Sequence, residues 1–278
     1  MPPDLSGAIR TFLAADALPL SRSVSRVQAM LQNHHYHAAD LAEHMRLDPT
    51  LTARVMSVAN SAFFSSQPCD DIGDAVNRLG STQLTRIFAQ VMVRAVLVSS
   101  LDGYGLAANG LWQRSVFVAV GTELGAGRLG ENRSVAYMVG LLHPVGMLAV
   151  NHLWTKQGRA QRLAWVDGEQ ECAADEQQRY GFSQADLGAE LLRQLVFPES
   201  VCHVIGQQYH PPVGPLASAL YLGRLARSFA EGTTRPSPRP EVLETFRLTS
   251  TPQLNAFFSD VREEARKRMQ GDRQPLSR

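Results

Sequence analysis

Apolar residues in this chain recur at the spacing of a helix face, and that periodicity restricts the fold more than any other feature. Leu51, Val55, Val58, Ala59, Ala62 and Phe63 fall at i, i+4, i+7, i+8, i+11 and i+12. Leu84, Ile87, Phe88, Val91, Met92 and Ala95 repeat the pattern, as do Trp112, Val116, Ala119 and Val120. Val135, Met138, Val139 and Leu142 do so again, followed by Leu187, Leu191, Leu192 and Leu195. No segment alternates convincingly with the period of two that a half-buried strand requires. Aromatic residues make up only 7% of the chain, so the core is built mainly from Leu, Val and Ala, a mixture without strand bias. The expected fold is all-α.

Polar and conformationally special residues punctuate these stripes. Asp40-Leu41-Ala42-Glu43 reads as a capping box, and Asp48-Pro49 as an N-cap followed by Pro at the first helical position. Asp71 opens another helix, which Gly80 is expected to end as a C′ glycine before Ser81 caps the next. Ser183 caps a further helix, and Thr251-Pro252 restarts one with Leu254, Phe257, Phe258 and Val261 as its apolar stripe. Gly103, Gly105, Asn109 and Gly110 mark a boundary between two lobes. Arg235-Pro236-Ser237-Pro238-Arg239-Pro240 reads as a linker. The expected organisation is an extension over 1–17, a helical lobe over 18–100, a second over 101–234, and a Pro-rich linker with a C-terminal helix over 235–278.

Charge and special segments narrow the function. The 27 basic and 26 acidic residues leave a formal charge of +1, which argues against a broad phosphate-binding surface for nucleic acid. Cys69, Cys172 and Cys202 are isolated and odd in number, so a disulfide framework is not expected. Met1–Leu20 carries Asp4 and Asp16 and lacks the apolar core of a signal peptide. The apolar stretch Val135–Val150 is interrupted by His143 and Pro144 and falls short of a membrane span. A cytoplasmic location is expected. His34, His35 and His37 lack a nearby acidic or Cys partner and read as a solvated helix end. Trp154 and Trp165, near Lys156, Arg159 and Arg162, read as boundary packing. Asn60-Ser61 reads as a helix end that satisfies local backbone groups. Arg262–Arg268 reads as a solvated helix face with Glu263–Lys267 and Glu264–Arg268 pairs.

Two regions carry a family resemblance. Asp48-Pro49-Thr50-Leu51-Thr52-Ala53-Arg54-Val55 leads to Ala59-Asn60-Ser61-Ala62-Phe63-Phe64, then to Ile72, Ala75-Val76 and Arg78-Leu79-Gly80. The second region is Gly140-Leu141-Leu142-His143-Pro144-Val145-Gly146-Met147-Leu148, followed downstream by Leu187-Gly188-Ala189-Glu190-Leu191-Leu192 and Tyr209-His210-Pro211. Together they resemble the HDOD family, the HD-related output domain of bacterial signalling proteins. The resemblance implies an all-helical, two-lobed fold whose C-terminal lobe is a degenerate HD-like helical bundle. It does not by itself imply an activity.

The departures from the related HD phosphohydrolases carry the functional expectation. Those enzymes hold one or two divalent metals among converging His and Asp ligands. At the corresponding positions of this chain, the resemblance places Arg114 for the first histidine and Pro144 for the aspartate after His143. It places Gln184 for a middle histidine, Tyr209 for the first residue of the His pair, and Gly223 for a closing aspartate. Only His143 and His210 remain as ligands of the required kind. Proline offers no ligand atom and disfavours the α region at the residue before it; arginine repels a metal. His143 reads as a buried histidine bonded to a backbone carbonyl. His210 reads as a helix-end residue that complements the dipole.

The expected function is therefore a non-catalytic signal-transduction module with no cofactor. It would act by contact with signalling proteins such as a response regulator or a cyclic-dinucleotide enzyme. One alternative is a nucleotide-binding regulator in which Arg114 pairs a phosphate in the former metal pocket. A second is a metal-dependent phosphohydrolase with relocated ligands.

Overall fold

The protein is described by a computed structural model, over residues 4–14, 27, 30, 37–47, 49–60, 69–97, 100–158, 163, 169–194, 197–232 and 239–271. Among these residues there is no strand, only an isolated antiparallel bridge between Leu101 and Leu106. The fold is all-α. The chain divides into two compact units. The larger comprises Met1–Phe12, Leu97–Leu191 and Glu199–Arg278; the smaller comprises Leu13–Val96 and Leu192–Pro198.

The smaller unit contains α2 (Ala38–Arg46), α3 (Pro49–Ala59) and α4 (Ile72–Leu97), the helix α1 (Leu5–Ala14) lying earlier in the chain. Leu51, Val55 and Ala59 are buried with Leu41, Met45, Ile72 and Val76, so the periodic stripe is the core face. The stripe's last members, Ala62 and Phe63, the expected cap Asp48, and Ser61 of the helix-end pair lie outside the described residues. Pro49 stands at the first position of α3, where its missing N–H costs nothing.

Two local expectations are corrected here. The helix over Asp40 begins at Ala38, with His37 at the N-cap and no side-chain cap, so Asp40 sits in the first turn. There it complements the helix dipole. Gly80 does interrupt the helix, but with φ 68° and ψ 169° it is extended rather than left-handed helical. That region is essentially restricted to glycine.

Asp71 caps α4, its Oδ2 accepting from the Gly73 N–H at 2.6 Å. Its Oδ1 accepts from Arg46 at 2.5 Å. The Arg46 hydrogen bond first, then the Gly73 N–H, hold the Asp71 carboxyl below the usual aspartate range. Asn60 closes the segment between α3 and α4 from both sides. Its Nδ2 donates to the Cys69 carbonyl at 2.9 Å, and its Oδ1 accepts from the Cys69 N–H at 2.7 Å.

The larger unit is organised around α5 (Gly110–Arg128). Next come α6 (Arg133–Leu142), α7 (Gly146–Lys156), α8 (Glu169–Tyr180), α9 (Gln184–Gln194) and α10 (Glu199–Gly206). Then follow α11 (Pro215–Glu231), α12 (Pro240–Thr245) and α13 (Thr251–Gly271). Helix α5 packs against both α6 and α11 at backbone range. A Cβ on Gly140 would lie 2.5 Å from Ala119 Cα, and one on Gly223 would lie 2.7 Å from the Val118 carbonyl. A Cβ on Gly121 would lie 2.8 Å from Gly223 Cα. Such distances leave no room for any side chain.

Two further expectations change. Pro240 is not linker but the first residue of α12, while 233–238 lie outside the described residues. Arg262–Arg268 on α13 is not simply a solvated face, since Ala265 is buried, whereas Phe257, Phe258 and Val261 are buried as the apolar stripe of this helix predicts. Phe257, Phe258, Val261 and Ala265 share a core with Val120, Leu222 and Phe246. The expected Glu263–Lys267 and Glu264–Arg268 pairs form at 2.7 and 2.9 Å. Arg268 also reaches Glu123 on α5 at 2.7 Å and lies 5.1 Å from the centre of the Tyr137 ring.

Val135–Lys156 is the one stretch among the described residues with the length and hydropathy of a membrane span. It is divided by the α6–α7 turn, and 78% of its apolar window is buried in the fold. The three cysteines are free and buried.

The close helix packing makes a quantitative prediction. Gly140→Ala sets a methyl group against Ala119 backbone, and should cost about 1–3 kcal/mol or more in urea unfolding. Gly110→Ala is the control. Its Cβ would first meet Leu106 Cβ at 3.8 Å, an ordinary contact, so its stability should equal or exceed the parent's. Equal stability of the two variants would contradict the packing.

Candidate functional site

The α6–α7 turn organises the residues that resemble HD ligands. Helix α6 stops at Leu142, and the turn is held by the Val145 N–H to the Leu142 carbonyl and the Met147 N–H to the Pro144 carbonyl, both 3.0 Å. A helix ending one residue before His143 is what Pro144 favours. His143 is buried, and its Nδ1 lies 2.6 Å from the Gly140 carbonyl. A carbonyl can only accept, so Nδ1 carries the proton. Gly146, at the start of α7, packs so closely on α9 that a Cβ would fall 2.6 Å from the Gly188 N.

Ser183 caps α9 as its sequence predicts. Asp186 Oδ2 accepts from the Ser183 N–H at 2.8 Å and from its hydroxyl at 2.9 Å. This places Gln184 in the first turn, 2% exposed, with its Nε2 donating to the Tyr209 hydroxyl at 2.6 Å. The Arg224 guanidinium stacks 4.6 Å from the centre of the Tyr209 ring, and its Nη1 donates to the Gln208 carbonyl. Gln208 Nε2 donates to the carbonyls of His143 at 2.9 Å and Ile205 at 3.0 Å. Two hydrogen-bonded pairs, Gln184 with Tyr209 and Gln208 with the His143 carbonyl next to Pro144, thus lie on successive residues 208 and 209, and Arg224 contacts both of these.

The remaining positions serve otherwise. Gly223 is a backbone contact between α11 and α5, where a Cβ would meet Thr122 Oγ1 at 2.6 Å. Arg114 pairs through Nε with Glu231 Oε1 at 3.2 Å. His210 is exposed in the loop after α10, four residues past the Gly206 end of that helix, so the helix-end reading does not hold. Pro49, Asn60 and Gly80 belong to the smaller unit. His37 is exposed at the N-cap of α2, and His34, His35 and Trp165 lie outside the described residues. Trp154 is buried.

These residues do not fit a divalent metal. Among the described residues no three His, Cys, Asp or Glu side chains gather closely enough to hold an ion. A catalytic zinc or iron site needs about three such ligands on one cavity.

Sequence reasoning missed Glu176, which is fully buried on α8. The Tyr104 hydroxyl donates to its Oε1 at 2.6 Å, and the Gln184 N–H to its Oε2 at 2.5 Å. The Cys172 thiol lies 3.6 Å from Oε1. The carboxylate thus ties the turn before α5 to the start of α9. Burial pushes its pKa up to about 7, against the pull of these three donors. Cys172, Ala173, Glu176 and Tyr180 fall on one helical stripe. A carboxylate in the middle of an inward stripe was the available signal.

A sequence profile of the HDOD domain matches residues 18–211. The chain belongs to the HDOD family. A crystal structure from Shewanella amazonensis SB2B, of a protein conjecturally named a phosphohydrolase, is 25% identical with a TM-score of 0.53. The match covers 92% of this HDOD chain and 93% of that one. A Marinobacter aquaeolei VT8 protein, conjecturally named for signal transduction, shares the fold with a TM-score of 0.55 at 22% identity, over 91% of this chain and 59% of that one. An uncharacterised protein of Treponema pallidum (strain Nichols) is 25% identical over 254 residues, which are 86% of this chain. The HDOD chain spans about half of that relative's length, 48%.

Glu176 gives stability a definite pH dependence. In the unfolded chain its carboxyl ionises near the ordinary 4.5, and in the fold at about 7. Between these limits the folded state keeps a proton that the unfolded chain has lost. The contribution is complete below about 4.5 and is lost as pH rises through 7, at up to about 1.4 kcal/mol per pH unit. His152 acts in the opposite sense below 6.5, because burial first and then Lys156 lower its pKa. The test is therefore the difference between the parent and Glu176→Gln. Urea stability of the parent, relative to the variant, should fall between pH 5 and 7.5. Parallel profiles would contradict the assignment.

Proposed function

We propose that this HDOD protein is a non-catalytic, cytoplasmic signal-transduction module that works by protein–protein contact. The supporting observation is the pair of hydrogen bonds from Gln184 to Tyr209 and from Gln208 to the His143 carbonyl. Positions that would hold metal ligands in an HD enzyme are here engaged with one another or with backbone carbonyls. The Gly223 position adds to this, since backbone and Thr122 fill the space that an aspartate side chain needs. These bonds restrain the turns that carry Gln184, Gln208 and Tyr209, and a restrained helical surface suits recognition. The name of the Marinobacter protein agrees with a signalling role. A response regulator or a cyclic-dinucleotide enzyme is the proposed partner class.

The name of the Shewanella protein favours the opposing reading, a phosphohydrolase. In this chain such chemistry requires ligands from elsewhere than Arg114, Pro144, Gln184, Tyr209 and Gly223. Adding one carboxylate separates the two readings. Pro144→Asp supplies a hard ligand beside His143 but leaves the other positions unchanged. The variant, assayed with added Mn²⁺ on cyclic dinucleotides and a generic phosphodiester, should show no turnover above the parent's background, because metal and nucleophile are not held in register. Turnover in the variant, or in the parent, would overturn the non-catalytic reading. Affinity capture of the intact protein should recover a response regulator or a cyclic-dinucleotide enzyme in stoichiometric amount.

A further inference from the structure

The larger unit carries a cleft of about 550 Å³ between the start of α5 and the ends of α11 and α13. Its lining includes Arg114, Arg227 and Arg266, with Glu231 as the only carboxylate among the described residues. None of His143, Gln184, Tyr209 or Gly223 lines it. Three guanidiniums and one carboxylate leave an excess of two positive charges here, although the whole chain carries only +1. The cleft therefore concentrates a charge that the rest of the surface cancels.

The arginines are held rather than loose. Glu231 bridges two of them, with Oε1 at 3.2 Å from Arg114 Nε and Oε2 at 3.6 Å from Arg227 Nη1. Arg227 is only 4% exposed, so a cation stands at the base of the cleft in a partly desolvated setting. There an opposing charge is worth more than at an open surface. Arg266 stands exposed at the rim, with no ion pair among the described residues. Phe117 and Met269 give one wall an apolar surface. The volume falls within the roughly 300–1,000 Å³ of small-molecule sites.

We propose that this cleft binds a small phosphorylated ligand of the nucleotide class. Its phosphate faces Arg114, Arg227 and Arg266, and its planar body lies against Phe117 and Met269. A phosphate monoester carries a charge of about −1.5 to −2 at pH 7, which matches the excess of two, whereas a single carboxylate does not. Guanidinium forks suit phosphate oxygens in geometry as well as charge. The site lies apart from the His143 network and requires no metal. It adds a small-molecule input to the signalling role, and its test is independent of whether a protein partner is found.

The experiment is calorimetric titration of the intact protein with AMP, GMP, guanosine and inorganic phosphate. At least one nucleotide should bind with one site per chain, and guanosine at least tenfold more weakly. Raising the salt should weaken nucleotide binding. Arg266→Glu, at the exposed rim, should weaken it at least tenfold while the melting temperature and circular dichroism stay unchanged. No nucleotide binding at about 1 mM ligand, a range that reports even weak sites, would overturn the proposal. So would unchanged affinity in Arg266→Glu, or inorganic phosphate binding as tightly as the nucleotide. A Glu231→Gln variant checks the bridge. It removes the competing carboxylate and should tighten nucleotide binding if it folds as the parent does; weaker binding despite a native fold would contradict the charge argument.

Discussion

Backbone-to-backbone packing of α5 against α6 and α11 is the constraint from which the larger unit follows. Gly140, Gly121 and Gly223 sit where any side chain would overlap a neighbouring helix. Glycine inside a helix costs about 1 kcal/mol relative to alanine, so three such positions are stable only because close approach returns dispersion contacts along both interfaces. Thr122 completes the arrangement by donating its hydroxyl to the Val118 carbonyl at 2.7 Å, within its own helix. With α5 fixed in this way, α13 can lay Phe257 and Val261 against the same core, and Arg268 can reach Glu123.

This packing also bears on the chemistry of the family. In an HD phosphohydrolase the helices must stand far enough apart to enclose ligands and water. In this HDOD chain the position resembling the closing aspartate is a helix contact, and the position after His143 is a proline that ends α6. The neighbouring polar groups have partners of their own. Gln184 and Tyr209 bond each other, and His143 gives its Nδ1 proton to backbone. Glu176, a buried carboxylate on α8, accepts from the Tyr104 hydroxyl and the Gln184 N–H. On this account the packing of the helices, as well as the identity of the residues at these positions, argues against a metal centre here.

The helices were legible because their stripes are long and periodic. Leu51, Val55 and Ala59 are buried together, as are Leu187, Leu191 and Leu192. The Ser183 cap was legible because Asp186 follows at the spacing of a capping box. The start of α2 was not, because Ala38 and Ala39 extend a helix without any polar cap to announce them. Helical glycines read as weak points along a sequence; only the facing helix shows that Gly223 is an interface. The reach of Arg268 across to α5 was hidden in the same way. Arg268 pairs locally with Glu264, and nothing in its own segment reveals Glu123. The site residues inherited from the resemblance were legible as positions, but their partners, especially Gln208 and Arg224, depend on turns whose geometry no periodicity encodes.

The central claim is that the former ligand positions are occupied by packing and internal hydrogen bonds, so that the fold has no use for a divalent ion. Thermal unfolding of the intact protein in about 1 mM Mn²⁺, Zn²⁺ or Fe²⁺, each against EDTA, tests it directly. An ion bound at a hundred times its Kd stabilises the native state by about 2.7 kcal/mol, a shift of several degrees for a chain of this size. The account predicts identical melting temperatures with ion and with EDTA. A rise of several degrees that EDTA reverses would contradict it.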